Sequence, residues 1–222
     1  MQAIVLADGD VASRERLDAA WPGWAEGTAF VVAADGGARH AGRLGLRVNL
    51  WIGDGDSTTA GQLAALEAAG VEVRRVPAAK DESDTELAVL AAVEAGADRL
   101  VVVGAFGGAR IDHTLANVGL LALPGLVGRA AVLLDGNARV RLVRGPGEAG
   151  LTGRTGDLVS LLPLGPGVGG VTTDGLAFPL RDEPLPPGPA RGLSNVLLGP
   201  KANVTVRSGT LLVIETPATL GQ

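Results

Sequence analysis

Five short apolar runs, at residues 3–7, 30–34, 50–52, 71–76 and 100–103, are separated by segments whose apolar residues recur at helical spacing. Residues 62–69 place Leu63 and Leu66 on one helical face, and residues 87–94 repeat the pattern through Leu87, Leu90 and Ala91, with Gly96 as a stop. Strand and helix in strict alternation force right-handed crossovers and a mainly parallel sheet, because each helix must pack back onto the sheet it has left. After residue 121 the alternation ends. Apolar runs at 131–134 and 138–143 flank Asp135-Gly136-Asn137, a hairpin signal. Beyond Gly145 helical periodicity is lost, and Gly and Pro recur between short apolar runs. The expected fold is an α/β domain over residues 1–130, with a mainly parallel sheet and flanking helices. An all-β sandwich domain is expected over residues 131–222. Within it the stretch 181–191, with Pro184, Pro186, Pro187 and Pro189, is expected to be a stiff connection.

Composition narrows the chemistry. A chain of 222 residues can bury a sizeable core without covalent staples. The absence of Cys excludes disulfides and thiolate metal sites, and fits a reducing cytoplasm, which is the expected location. The balance of 24 acidic and 19 basic residues, net −5, gives no footprint for nucleic acid. No apolar run approaches the roughly 20 residues of a membrane span. The first run is interrupted by Asp8 and Asp10 and has no basic leader, so it suits a strand and not a signal peptide. An anionic substrate must therefore be met locally, by metal ions and a few Arg or Lys.

Ligands of parallel sheets bind beyond the carboxyl ends of the strands, and the polar clusters of this chain follow its apolar runs. Residues 50–52 lead into Gly53-Asp54-Gly55-Asp56-Ser57. Two carboxylates facing one point about 4–5 Å apart would repel by roughly 3–4 kcal/mol at an effective dielectric near 20, and a cation removes that cost. Oxygen donors on a short turn favour a hard ion such as Mg²⁺ over zinc. The same stretch also suits a solvated turn in which Ser57 caps the next helix. Asp35-Gly36-Gly37 either offers backbone N–H groups to a phosphate or makes a tight turn. In the stretch 80–86, Ser83 and Glu86 form a capping box and Asp84 suits the first turn. Lys80 and Asp81 lie outside that helix, and with Asp84 they offer cation ligands beside a point charge for phosphate. In Gly107-Gly108-Ala109-Arg110-Ile111-Asp112-His113, Arg110 is a fork suited to phosphate oxygens, while Asp112 has an alternative as N-cap and His113 as a first-turn residue.

Taken in order, these motifs resemble those of the thiamine pyrophosphokinase (thiamine diphosphokinase) family. The resemblance rests on residues 34–38, 53–57, 80–84 and 110–117, then Thr173-Asp174-Gly175-Leu176-Ala177-Phe178-Pro179-Leu180 and Gly192-Leu193-Ser194-Asn195, and spans nearly the whole chain. It implies transfer of the pyrophosphoryl group of ATP to the hydroxyl of thiamine, with AMP as the other product. It further implies a homodimer with active sites between subunits and a C-terminal domain that binds thiamine. By position, Asp54, Asp56 and Asp84 would hold Mg²⁺ with Asp81 beside them. Asp35, Gly36, Gly37, Lys80, Arg110 and His113 would serve ATP, and Asp112 would sit near the attacking hydroxyl. Phe178 would give thiamine a ring face, and Ser194 and Asn195 hydrogen bonds. Two alternatives share the nucleotide loops: a pyrophosphokinase for another alcohol such as a hydroxymethylpterin, and a thiamine or nucleotide sensor without turnover. The chain departs from the family pattern at Gly55, where Phe is common, at Ala109, an additional residue after Gly107-Gly108, and at Phe178, where a larger ring is frequent.

Overall fold

A strand covered on both faces must be apolar at successive positions, and the first part of the chain is built on strands of that kind. β1 (Gln2–Leu6) and β3 (Leu50–Gly53) are buried throughout, and β5 (Arg99–Val103) is buried after its first residue. Together with β2 (Thr28–Ala34), β4 (Glu72–Arg75) and β6 (Ala130–Leu134), they form a sheet in the order β6-β5-β1-β2-β3-β4. Every pairing in it is parallel. The crossovers carry α1 (Arg14–Ala20), α2 (Ala41–Leu44), α3 (Ala60–Ala68), α4 (Asp84–Glu94) and α5 (Ile111–Leu120), with a 3-10 turn over Asp35–His40 leading into α2. The starts of α1, α3 and α4 are set by local side chains. Ser13, Thr59 and Ser83 each accept a bond from the N–H three residues on, and at Thr59 the Gln62 side chain returns it to complete a capping box.

The computed structural model describes residues 1–218, and the chain divides into two compact units between Gly136 and Asn137. β6 runs parallel to β5, with Leu134 opposite Val103. The apolar run at 131–134, expected to open the second domain, thus completes the sheet of the first unit. A short apolar run suits a buried parallel strand and a hairpin arm equally well, so periodicity alone does not separate them.

The second unit has two antiparallel sheets. One is ordered β12 (Asn195–Val196), β9 (Leu158–Pro163), β14 (Thr210–Thr216), β7 (Arg139–Arg144), and the other β11 (Glu183–Leu185), β10 (Val168–Asp174), β13 (Lys201–Val206), β8 (Gly147–Thr152). Alternate residues such as Val159, Leu161, Val204, Leu211 and Val213 form its core. The proline-rich stretch is more than a connection, because β11 lies within it and pairs with β10, Leu185 opposite Val168. Pro184 is tolerated at that outermost position, where the ladder does not need its N–H.

Candidate active site

Asp35, the first residue beyond β2, adopts φ +40. For a residue other than glycine the left-handed region costs about 1–2 kcal/mol. The conformation is held from several sides. The fully buried Trp51 donates Nε1–H to the Asp35 carbonyl (3.0 Å), the Ser57 N–H donates to Oδ2 (3.0 Å) and the Thr58 hydroxyl to Oδ1 (2.7 Å). Only 3% of Asp35 is exposed. Its carboxylate therefore fastens the loop after β3 to the end of β2, and with it Asp54 and Asp56. Gly53 permits the approach, since a Cβ there would lie 2.8 Å from that of Asp35.

Asp35, Asp54 and Asp84 each present a carboxylate oxygen within 4.8 Å of the others. At an effective dielectric of about 20 each charged pair at that separation repels by about 3.5 kcal/mol. Lys80 offsets part of this, with Nζ 3.3 Å from Asp54 Oδ2 and 3.1 Å from Asp84 Oδ1. Burial opposes the Lys80 charge, yet its two carboxylate partners prevail and raise its pKa. Burial raises the Asp35 carboxyl above its ordinary range, and a hydrogen bond with Asp56 adds to the shift. Asp56 is held low by the Ser57 hydroxyl (2.8 Å) and then by Asp35. Asp84 is raised by burial, against the pull of Lys80, and its buried Oδ1 is held by the Lys80 ion pair without a further hydrogen bond. Three carboxylates share one lysine, and an oxygen-donor cluster left with net negative charge fits a hard divalent cation.

Because burial dominates at Asp84, its charge costs the metal-free fold stability that appears as pH rises from the unfolded carboxylate value through the raised folded one. Asp84→Asn removes that charge. In metal-free buffer the variant is expected to melt with the wild type at about pH 3, below the ordinary carboxylate range, and above it at pH 7. Equal melting temperatures at pH 7 would contradict the assignment.

The loops after β1 and β5 lie together. Gly9 N–H donates to the Gly104 carbonyl (2.9 Å), Asp10 N–H to that of Phe106 (2.8 Å), and the Gly108 N–H donates to Asp10 Oδ2 (3.0 Å). Gly107 and Gly108 adopt φ +74 and +75, so the additional residue Ala109 follows two positions that need glycine. Arg110 occupies the N-cap of α5 without a side-chain cap bond. Asp112 is thus a first-turn residue and not the cap. The Arg110 guanidinium pairs with the Asp112 carboxylate (Nε to Oδ1 3.2 Å), which raises the pKa of Arg110 and lowers that of Asp112.

These loops bound a cleft of about 450 Å³. Asp35, Asp54, Asp56, Lys80, Asp84, Arg110 and His113 all line it. Four expected residues are not among the lining of this cleft. Gly36 and Gly37 serve packing, since a Cβ on Gly36 would lie 2.3 Å from Asp8 Oδ1 and one on Gly37 2.1 Å from the Leu6 carbonyl oxygen. Asp81 is exposed and outside the lining, as is Asp112 beside Arg110. Asp8 and Asn117 line the cleft without having been expected there. Asp8 lies two residues beyond β1 as Asp35 lies one beyond β2, so the strand-end rule extends to it; Asn117, mid-helix, carries no such signal.

In the second unit Phe178 is 60% exposed and so does not belong to the core. Asn195 is buried, and its amide is committed to the backbone around Phe178: Oδ1 accepts from the N–H of Phe178 (2.9 Å) and of Val196 (2.9 Å), and Nδ2 donates to the Phe178 carbonyl (2.7 Å). It shapes the turn that presents the ring, in place of the expected free hydrogen-bonding group. Ser194 is exposed at φ +55, with its N–H on Ser160 Oγ (3.1 Å).

Residues 23–126 match the family described as thiamin pyrophosphokinase, catalytic domain, and residues 148–211 match thiamin pyrophosphokinase, vitamin B1 binding domain. A thiamine pyrophosphokinase of Bacillus subtilis is 27% identical over 165 residues, 74% of this chain and 76% of that one. Among solved structures, thiamine pyrophosphokinase from Bacillus subtilis superimposes with a TM-score of 0.81 at 24% identity, covering 98% of this chain and 99% of that one. The Geobacillus thermodenitrificans protein gives 0.79 at 25% identity, covering 97% of each chain. The Candida albicans protein shares the fold at 14% identity, with a TM-score of 0.78 over 97% of this chain and 90% of its own. With both domains matched in order along most of its length, the chain belongs to the thiamin pyrophosphokinase family of enzymes.

Proposed function

We propose that this enzyme transfers the pyrophosphoryl group of ATP to the hydroxyl of thiamine, with Mg²⁺ held in the acidic cleft. The observation that carries the reading is the carboxylate cluster of Asp35, Asp54 and Asp84, whose charge Lys80 offsets only in part. The thiamine oxygen bonds to the β-phosphorus as the bond from that phosphorus to the α-phosphate oxygen breaks. AMP leaves with that oxygen, and the hydroxyl proton passes to solvent water. Phosphoryl-type transfer asks mainly for positioning and charge neutralisation. Mg²⁺, when bound, supplies neutralisation of the phosphate charge. Asp54 and Asp84 would be its ligands in this reading, with the buried Asp35 completing the cluster and the exposed Asp56 beside it. Lys80, freed from its carboxylates, is a point charge for a phosphate, and Arg110 a fork for two phosphate oxygens.

The acceptor face belongs to the second domain. Phe178 is an exposed ring in a turn stiffened by Asn195, which suits a cationic thiazolium. We further propose a homodimer with active sites between subunits, supported by apolar residues left in water. Ile111 and Leu115, 71% and 66% exposed, follow each other at helical spacing on α5. Phe178→Ala is expected to raise the KM for thiamine by roughly 3- to 30-fold, the scale of a cation–π contact, with KM for ATP unchanged. An unaltered thiamine KM would exclude Phe178 from the acceptor site.

Initial rates of AMP formation with thiamine, with a hydroxymethylpterin and with no acceptor test the reaction. Thiamine alone should support turnover. Preference for the pterin would reassign the acceptor, and tight thiamine binding without AMP would make the protein a sensor.

A further inference from the structure

The turn after β1 bounds the cleft, although none of its residues was expected in the site. It is bonded along both edges. Its N–H groups at Gly9 and Asp10 are taken by carbonyls of the loop after β5. Its carbonyls are taken from behind by side chains of the 3-10 turn and α2. Arg39 donates to the carbonyls of Asp8 and Gly9, His40 Nε2 to that of Gly9 (3.0 Å) and Arg43 to that of Val11 (3.0 Å). The His40 tautomer follows from donor counting. Arg43 has no acceptor to offer, so its 2.8 Å contact makes Nδ1 the accepting nitrogen and leaves the ring proton on Nε2, facing the Gly9 carbonyl. His40 is 3% exposed, and burial pushes its pKa down to about 4, so the ring stays neutral at neutral pH.

What this braced turn presents outward is the Asp10 carboxylate. Its Oδ2 accepts the Gly108 N–H at 3.0 Å, across 98 residues of sequence. The fit is close: a Cβ on Gly107 would lie 2.2 Å from the same oxygen. Two successive glycines at positive φ form a segment with little conformational preference of its own, and Arg110 follows directly after Ala109.

We propose that Asp10 is a positioning residue for the ATP side of the cleft: its bond to Gly108 fixes the loop that presents Arg110, while His40 and Arg43 hold Asp10 in place from behind. The inference rests on the proposed reaction and adds to it a residue outside the phosphate-binding and metal-binding groups. Asp10→Ala removes the acceptor, and Asp10→Asn keeps an acceptor oxygen in its place. Two readouts separate positioning from a general loss of structure: exchange of the Gly108 amide by NMR without substrates, and steady-state kinetics in each substrate. In Asp10→Ala the Gly108 amide should exchange about 10-fold faster and KM for ATP should rise about 10-fold, the scale of a hydrogen bond to a charged group. KM for thiamine should stay within about 2-fold, and Asp10→Asn should restore both quantities most of the way. Unchanged Gly108 exchange in Asp10→Ala, a defect confined to thiamine, or an Asn variant no better than Ala would overturn the assignment. A wild-type protein that forms no AMP would sink the proposed reaction instead, and the exchange measurement would still decide the role of Asp10.

Discussion

Asp54→Asn is expected to lower turnover by at least about 100-fold, the scale of removing one preorganised electrostatic contact to a reacting centre, while melting close to the wild type. Asp54 Oδ2 faces Lys80 and its Oδ1 accepts the Asp56 N–H (3.1 Å). Asparagine keeps the second bond, so the turn survives, but it withdraws one of three clustered charges. The folded frame does not depend on that charge; a bound cation does. Turnover at saturating Mg²⁺, read beside the melting temperature and calorimetric Mg²⁺ affinity, checks the expectation. A variant with near-normal turnover would remove Asp54 from the site.

Gly37→Ala should have its largest effect on folding. The new Cβ would stand 2.1 Å from the Leu6 carbonyl oxygen and 3.0 Å from the carbonyl carbon of Ala7, both backbone atoms at the end of the central strand. Neither neighbour is a flexible side-chain end, so the 3-10 turn or β1 itself must move. A cost of about 3 kcal/mol, the upper part of the range for overpacked cores, is a large share of the roughly 5–15 kcal/mol that stabilises a typical domain. Denaturant titration measures it. Unchanged stability in the variant would contradict this packing role of Gly37.

The alternation of apolar runs and helical spacing made the parallel sheet legible, because burial on both faces leaves an unbroken apolar run. The strand-end rule then placed Asp35, Asp54, Lys80, Asp84 and Arg110 around one cleft. Residues with two physically sound roles were less legible. Asp-Gly-Gly serves a phosphate turn and a close packing contact equally well, and the Leu6 carbonyl against Gly37 supplies a packing reason for glycine that the sequence does not show. Asn195 reads as a free hydrogen-bonding group until its three backbone bonds are seen. Asp10 gives no local signal, since its partner Gly108 lies 98 residues away. The Thr59 box is present in the sequence as Thr-x-x-Gln, but Ala60 and Gly61 obscure the start of α3.

The most direct test of the central claim is a ³¹P NMR time course of ATP, thiamine and Mg²⁺ with a catalytic amount of the protein. The account predicts that AMP and thiamine diphosphate appear at equal rates, with no ADP or orthophosphate, and that EDTA stops both. ADP as the nucleotide product, or AMP formed at the same rate without thiamine or in the presence of EDTA, would contradict it.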